Sequence, residues 1–270
     1  MPELPEVETL ARELRRALVG RSIVGVEVRW PRTVTAPDPE TFARRLVGRR
    51  IQEIQRRGKW LLLGLDEGDW LLVHLRMSGR LAVESADAPE DPYTRVVLHL
   101  DDGHRLRFSD PRKFGRMALT ACPEEWLGDL GPEPLDLTPE QLAEMLQGRR
   151  VRLKSLLTDQ HFLAGLGNIY TDEVLWRADL HPLRCADTLT PGEVTRLHRA
   201  IQQVLEEAIA RRGTTLPDQR YVLPDGRPGE FAAHLAVYGR EGYPCPRCGA
   251  PIARTRVGGR SARFCPQCQR

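Results

Sequence analysis

The chain has 270 residues and a formal net charge of +3, with 41% hydrophobic and only 6% aromatic residues. That length suits about two domains of roughly 150 residues. No apolar run approaches the ~18 residues of a bilayer-spanning helix, which argues against a helical membrane protein. Charge is unevenly spread: Ala236 to Arg270 holds seven arginines against Glu241, so this tail carries +6 and the remainder −3. Such a tail points to a polyanionic partner, nucleic acid first, with a solvated charged face as the alternative.

The chain opens "MPELPEVETL". A small second residue permits loss of Met1, which would leave Pro2 with a free secondary amine. The first residues lack the basic and apolar regions of a secretory signal, so a cytoplasmic protein is expected. Val7, Leu10, Leu14 and Leu18 recur at helical spacing, and glutamates crowd the first turn, where the helix dipole favours them. Val24, Val26, Val28 and Trp30 then alternate as a strand. "KWLLLGLDEGDWLLVHLRMSGRLAV" reads as strands around an acidic-glycine turn, and "RVVLHLDDGHRLRFSD" as a hairpin about Asp102 and Gly103. One helix and several strands over the first ~130 residues predict a β-sandwich with a flanking helix.

Beyond the Gly/Pro-rich "LGDLGPEPLDL", the pattern turns helical. "TPEQ" from Thr138 and "TPGE" from Thr190 are capping boxes, each with proline at the first helical position. After the second, Val194, Leu197, Ile201, Val204, Leu205 and Ala208 form an apolar stripe. "LPDQRYVLPDGRPGE" reads as a second linker. It leads to Cys245 and Cys248 in "CPRC" and Cys265 and Cys268 in "CPQC", separated by sixteen residues. Two C-x2-C knuckles at this spacing favour one tetrahedral Zn2+ over two disulfides, which a reducing cytosol disfavours, or a redox pair. Between them, "PIARTRVGGRSARF" predicts a hairpin turning at Gly258 and Gly259, with Arg260 at its tip. Cys122 and Cys185 read as ordinary small side chains.

Lys59, Lys113 and Lys154 are the only lysines in an arginine-rich chain, which marks them as positions where a compact ammonium is wanted. Met77 and Phe114, read alone, are core residues.

Taken in order, "MPELPEVET", "RRGKWLL", "HLRMSG", "DPRKFG", "LGPEPL", "FLAGLGNIYTDEVLW", "PDGRPGEF", "VYGREGYPCPRCG" and "GGRSARFCPQCQ" resemble the formamidopyrimidine-DNA glycosylases of bacteria, from Met1 to Arg270. The resemblance implies an α+β multidomain protein: a catalytic β-sandwich over 1–131, a helix-two-turn-helix domain over 132–235 and a β-hairpin zinc finger over 236–270, with DNA held in a cleft between domains. It implies a monomer that acts on double-stranded DNA containing oxidised bases or abasic sites.

Among the residues, the resemblance implies Pro2 as nucleophile, Glu3 as acid/base, Lys59 as proton donor near the lesion, and Arg260 as the finger arginine that grips phosphate and assists the second elimination. Glu6 matches a further acidic position, orienting the helix start or simply favouring its dipole. Met77, Arg112 and Phe114 match residues that fill the gap left by an extruded nucleotide. His74, Asn168 and Tyr238 match phosphate contacts, as do Tyr93 and Arg149 less closely, and Lys154 matches a lysine near the DNA face of the helical domain. "HLRMSG" and "DPRKFG" favour the branch that removes oxidised purines over the one that removes oxidised pyrimidines. "PDQRYVLPDG" departs from the commonest lesion-recognition loop. A DNA-binding protein without catalysis would lack Pro2 or Glu3, and an RNA-binding zinc ribbon would need a platform of stacking aromatics.

Overall fold

The computed structural model describes all 270 residues, which fall by contact into two compact units: Met1–Gly128 with Arg211–Glu230, and Asp129–Ala210 with Phe231–Arg270.

The first unit begins with α1 (Leu4–Leu18), whose buried face is Val7, Leu10, Ala11, Leu14 and Leu18, the periodic set expected. It continues through β1 (Ile23–Val28), β2 (Val34–Ala36), α2 (Pro39–Leu46), β3 (Ile51–Arg57), β4 (Trp60–Leu65), β5 (Trp70–His74), β6 (Arg80–Ser85), β7 (Thr94–Leu100), β8 (His104–Ser109), β9 (Arg116–Thr120) and the single turn α3 (Glu124–Leu127). One sheet has the order β2-β9-β5-β4-β3 and the other β1-β7-β8-β6. All neighbours are antiparallel except β2 and β9. Leu61, Leu63, Leu71 and Val73 of the first sheet share a core with Val96, Leu98, Leu106 and Phe108 of the second, and α1 closes one flank. This is the expected β-sandwich.

The stretch 216–230, read from sequence as a linker, packs into this unit together with residues 211–215. Tyr221 and Leu223 are buried, and the Tyr221 hydroxyl donates to the Arg212 carbonyl at 3.0 Å. These two apolar residues help to anchor a Pro/Gly-rich stretch, although they form no periodic pattern.

The second unit contains α4 (Pro139–Leu146), α5 (Leu153–Leu157), α6 (Asn168–Arg177), α7 (Pro191–Ala210) and the hairpin of β10 (Ala253–Val257) with β11 (Arg260–Phe264). Both capping boxes form. The Thr138 N–H donates to Gln141 at 2.9 Å and the Thr190 N–H to Glu193 at 2.8 Å, while the N–H groups of Gln141 and Glu193 donate back to the threonine hydroxyls. The predicted apolar stripe of α7 is buried throughout. Val257 pairs with Arg260 across Gly258 (φ +56°) and Gly259 (φ +77°). Two consecutive positive φ values are what a two-residue hairpin turn demands of glycine.

Candidate nucleic-acid interface

In the first unit, Pro2 and Glu3 are buried at the lip of α1. Glu6, one turn on and also buried, accepts the Glu3 N–H at 2.8 Å through Oε2 and the Thr214 N–H at 2.8 Å through Oε1. The carboxylate therefore fixes the start of the chain to the 211–230 segment, a tie that dipole stabilisation alone does not explain. Gly213, at φ +78°, is what lets Glu6 approach: a Cβ there would stand 2.8 Å from Oε1.

Lys59 follows Gly58 (φ +56°) in the turn between β3 and β4 and is 6% exposed. Its neighbour Trp60 pairs across the ladder with His74, and the two rings meet edge to face at 4.8 Å. Burial, then the charges of Arg76 and Lys59, hold the His74 imidazole down to about 3. Nδ1 accepts the Arg76 N–H at 3.0 Å, so the neutral ring carries its proton on Nε2 and can donate there.

Two loops of the sandwich carry the expected gap-filling residues. Met77 lies between β5 and β6, Arg112 and Phe114 between β8 and β9. Met77 and Phe114 are 38% and 45% exposed, which overturns their reading as core residues. The Arg112 guanidinium joins them, with Nη1 3.3 Å from the Met77 sulfur and its carbon 4.8 Å from the Phe114 ring centre. Tyr93 is exposed as well.

In the second unit, Asn168 opens α6 behind Gly167. Lys154, expected near a DNA face, has no exposed surface. Its Nζ donates to Asp172 Oδ1 at 2.7 Å and to the Asn168 carbonyl at 2.9 Å. It is a buried strut beneath Asn168 rather than a surface cation. Asp172 Oδ2 accepts the Arg263 N–H of β11 at 3.1 Å, so one carboxylate joins α5, α6 and the hairpin. Burial pushes the Asp172 carboxyl up to about 6, against the pull of Lys154. Next along the helix, Glu173 accepts the N–H groups of Ala236, Val237 and Tyr238 at 2.8, 3.0 and 2.8 Å. It sets the turn that presents Tyr238, whose ring stacks under the Arg263 guanidinium at 4.6 Å. Sequence reading missed Asp172 and Glu173, although both lie in the quoted "NIYTDEVLW". Arg149 is exposed on the same unit, its guanidinium 5.3 Å from the Phe162 ring centre, and Arg260 is exposed at the hairpin tip. Ser155 of α5 supports that tip, where a Cβ on Gly258 would stand 2.7 Å from its Oγ.

The sulfurs of Cys245, Cys248, Cys265 and Cys268 all lie within 4.8 Å of one another, with no disulfide. Four sulfurs at ~2.3 Å from a tetrahedral zinc would be just under 4 Å apart, and the pairs Cys245–Cys268 and Cys248–Cys265 stand at 4.0 and 3.4 Å. Although burial opposes it, backbone N–H groups of Arg247 and Cys248 hold the Cys245 thiol down to about 6. Burial and the crowd of neighbouring sulfurs push Cys268 up to about 12. Mutual repulsion among thiolates is what one divalent cation relieves, so the residues fit a structural Zn2+. The finger docks on the end of α6 through the Arg247–Asp179 ion pair and through Gln269, which donates to the Leu180 carbonyl at 2.9 Å.

A β-sandwich, a helix-two-turn-helix region and a four-cysteine hairpin together define the class of zinc-finger DNA glycosylases. The profile of the formamidopyrimidine-DNA glycosylase N-terminal domain matches residues 1–117, that of its H2TH domain 130–220, and that of the zinc finger found in FPG and IleRS 242–270. Formamidopyrimidine-DNA glycosylases of Chloroflexus aurantiacus and Desulforamulus reducens are 50% and 48% identical, over 100% of this chain and 98% and 99% of theirs. Among solved structures, Lactococcus lactis Fpg bound to DNA with an abasic site superposes with a TM-score of 0.92 at 36% identity, covering 99% of each chain. MutM bound to DNA containing carbocyclic 8-oxo-G superposes equally well, at 0.92 and 36%, covering 100% of each. The chain belongs to the formamidopyrimidine-DNA glycosylase family. No helix is long and apolar enough to cross a membrane.

Proposed function

We propose that this protein is a bifunctional DNA glycosylase and abasic-site lyase of base excision repair. It removes oxidised purines, 8-oxoguanine and formamidopyrimidines, from double-stranded DNA and nicks the strand by β- and δ-elimination. The observation that carries the reading is the fixed, buried start of the chain: Pro2 stands beside Glu3, whose N–H is held by Glu6. Family membership and relatives solved with damaged DNA support it.

The chemistry follows from the amine. Loss of Met1 exposes the Pro2 nitrogen. An α-amine titrates near ~8, so a useful fraction is neutral near pH 7, and burial raises that fraction. A glycosidic carbon is out of reach inside the stack, so the damaged nucleotide is extruded first. Met77, Arg112 and Phe114 fill the gap, Arg112 facing the orphaned cytosine. The Pro2 nitrogen bonds to C1′ and sheds its proton, and the glycosidic electron pair leaves with the base, which takes up a proton. The C1′–O4′ bond then opens, O4′ takes a proton from Glu3, and the nitrogen lone pair completes a C=N+ bond. Because proline is a secondary amine, this iminium stays cationic without losing a proton. It acidifies the C2′ protons, so β-elimination breaks the C3′–O bond. A second elimination releases the 5′ phosphate, and water frees Pro2.

Lys59, Glu3 and Pro2 form the catalytic set, with Lys59 as proton donor and Arg260 as phosphate clamp in the second elimination. His74 donates Nε2–H to a phosphate oxygen, and Asn168 and Tyr238 supply further phosphate contacts, with Tyr93 and Arg149 outside them. Lys154 acts by positioning Asn168 rather than by touching DNA. Bound zinc supplies no chemistry to the reaction; it cross-links four thiolates and so holds Arg260 on a rigid hairpin. The work divides among the segments 1–131, 132–235 and 236–270, in a monomer that acts in the cytoplasm.

Single-turnover assays on otherwise identical duplexes test the reading. Faster excision of 8-oxoguanine opposite cytosine than of thymine glycol, with both strand ends phosphorylated, is expected. A preference for thymine glycol would move the protein to the pyrimidine-lesion branch.

A further inference from the structure

Asp110 follows β8 and has no exposed surface. Its Oδ1 accepts the Ser78 hydroxyl at 2.5 Å and the Arg112 N–H at 3.1 Å; Oδ2 accepts the N–H groups of Phe114 and Gly115, both at 2.7 Å. Its backbone is held too: the N–H donates to the Tyr93 carbonyl and the carbonyl accepts Arg95 Nε, both at 2.9 Å. Ser78 adjoins Met77 in a tight turn where the Gly79 N–H donates to the Leu75 carbonyl at 2.9 Å. One carboxylate thus joins the loop that carries Met77 to the loop that carries Arg112 and Phe114. Every group facing it is a donor, a demand that a carboxylate meets and an amide does not, since an asparagine would turn its NH2 onto a backbone N–H whichever way it faced.

We propose that Asp110 is a positioning residue that locks Met77, Arg112 and Phe114 into one wedge, with Ser78 as the link between the loops. The inference rests on the glycosylase reading above. A wedge held at both roots enters a base stack as a unit; two independent loops would each have to be ordered during extrusion, and that ordering opposes it. The consequence is selective. Extruding a stacked, paired base needs the wedge, whereas a preformed abasic site has no base to unstack.

The test compares Asp110→Asn and Ser78→Ala with the parent protein on two duplexes, one with 8-oxoguanine opposite cytosine and one with a preformed abasic site. Ser78→Ala removes only the Ser78–Asp110 bond and leaves the turn over residues 110–115 its other contacts, the Arg112–Met77 approach among them. Base excision is expected to slow about tenfold in each variant, the scale of one charge-assisted hydrogen bond, while abasic-site cleavage keeps the parent rate. A 2-aminopurine beside the lesion should show a correspondingly slower rise in fluorescence on extrusion. Equal loss on both duplexes, or unchanged excision and fluorescence in Ser78→Ala, would overturn the proposal. A parent protein that cleaves neither duplex would overturn the glycosylase reading itself, before any variant is compared.

Discussion

The Lys154 ammonium lies 2.7 Å from the Asp172 carboxylate, with no exposed surface on either side chain. Removing one member strands the other charge in the interior, an effect of about 3–5 kcal/mol. Lys154→Ala should therefore lower the melting temperature strongly, whereas a surface phosphate contact would leave it unchanged. Calorimetry decides between these, and an unaltered melting temperature would show that the pair bears no structural load. Because Asp172 also holds the Arg263 N–H, the hairpin should lose amide-exchange protection in the same variant.

His74 yields a pH prediction. Its folded value of about 3 lies below the ordinary 6.5, so the unfolded chain binds the extra proton. The stabilisation is fully present above pH 6.5 and drains away as pH falls towards about 3. His74→Gln should show a shallower loss of thermal stability between pH 6.5 and 4 than the parent protein. Parallel slopes would mean that the imidazole is not held neutral.

Removal of metal should act on affinity rather than chemistry. Cys265→Ser, or treatment with a strong chelator, is expected to unfold the hairpin, release one zinc per chain by atomic absorption and weaken duplex binding. Full affinity without zinc would contradict the role assigned to the finger.

Arg260→Ala removes a single exposed cation at the hairpin tip. Its binding should weaken similarly for damaged and undamaged duplex, and the slope of log affinity against log salt should fall by about one. An unchanged slope would exclude a phosphate contact.

Local rules made much of the fold legible. The boxes at Thr138 and Thr190, the hairpin at Asp102–Gly103 and the Gly258–Gly259 turn each depend on residues a few positions apart, and all form as read. The cysteine knuckles were legible for the same reason, because C-x2-C spacing fixes geometry locally. What sequence did not disclose depends on distant partners. Glu173 meets residues more than sixty positions away, and Glu6 meets Thr214; neither pairing leaves a periodic trace. Lys154 was expected near the DNA face of the helical domain, and its burial could not be read there because it is decided by its distant partner Asp172. Met77 and Phe114 show the opposite error, since apolar side chains usually lie inside and here stand out in loops. Their exposure was signalled only by motif context.

Borohydride trapping shows whether the Pro2 amine attacks the sugar. On a duplex with 8-oxoguanine opposite cytosine, a covalent protein–DNA adduct is expected that maps by mass spectrometry to Pro2 in chains lacking Met1, and that disappears in Pro2→Gly while duplex binding persists. An adduct at a lysine, or none with Met1 removed and binding intact, would contradict attack by Pro2.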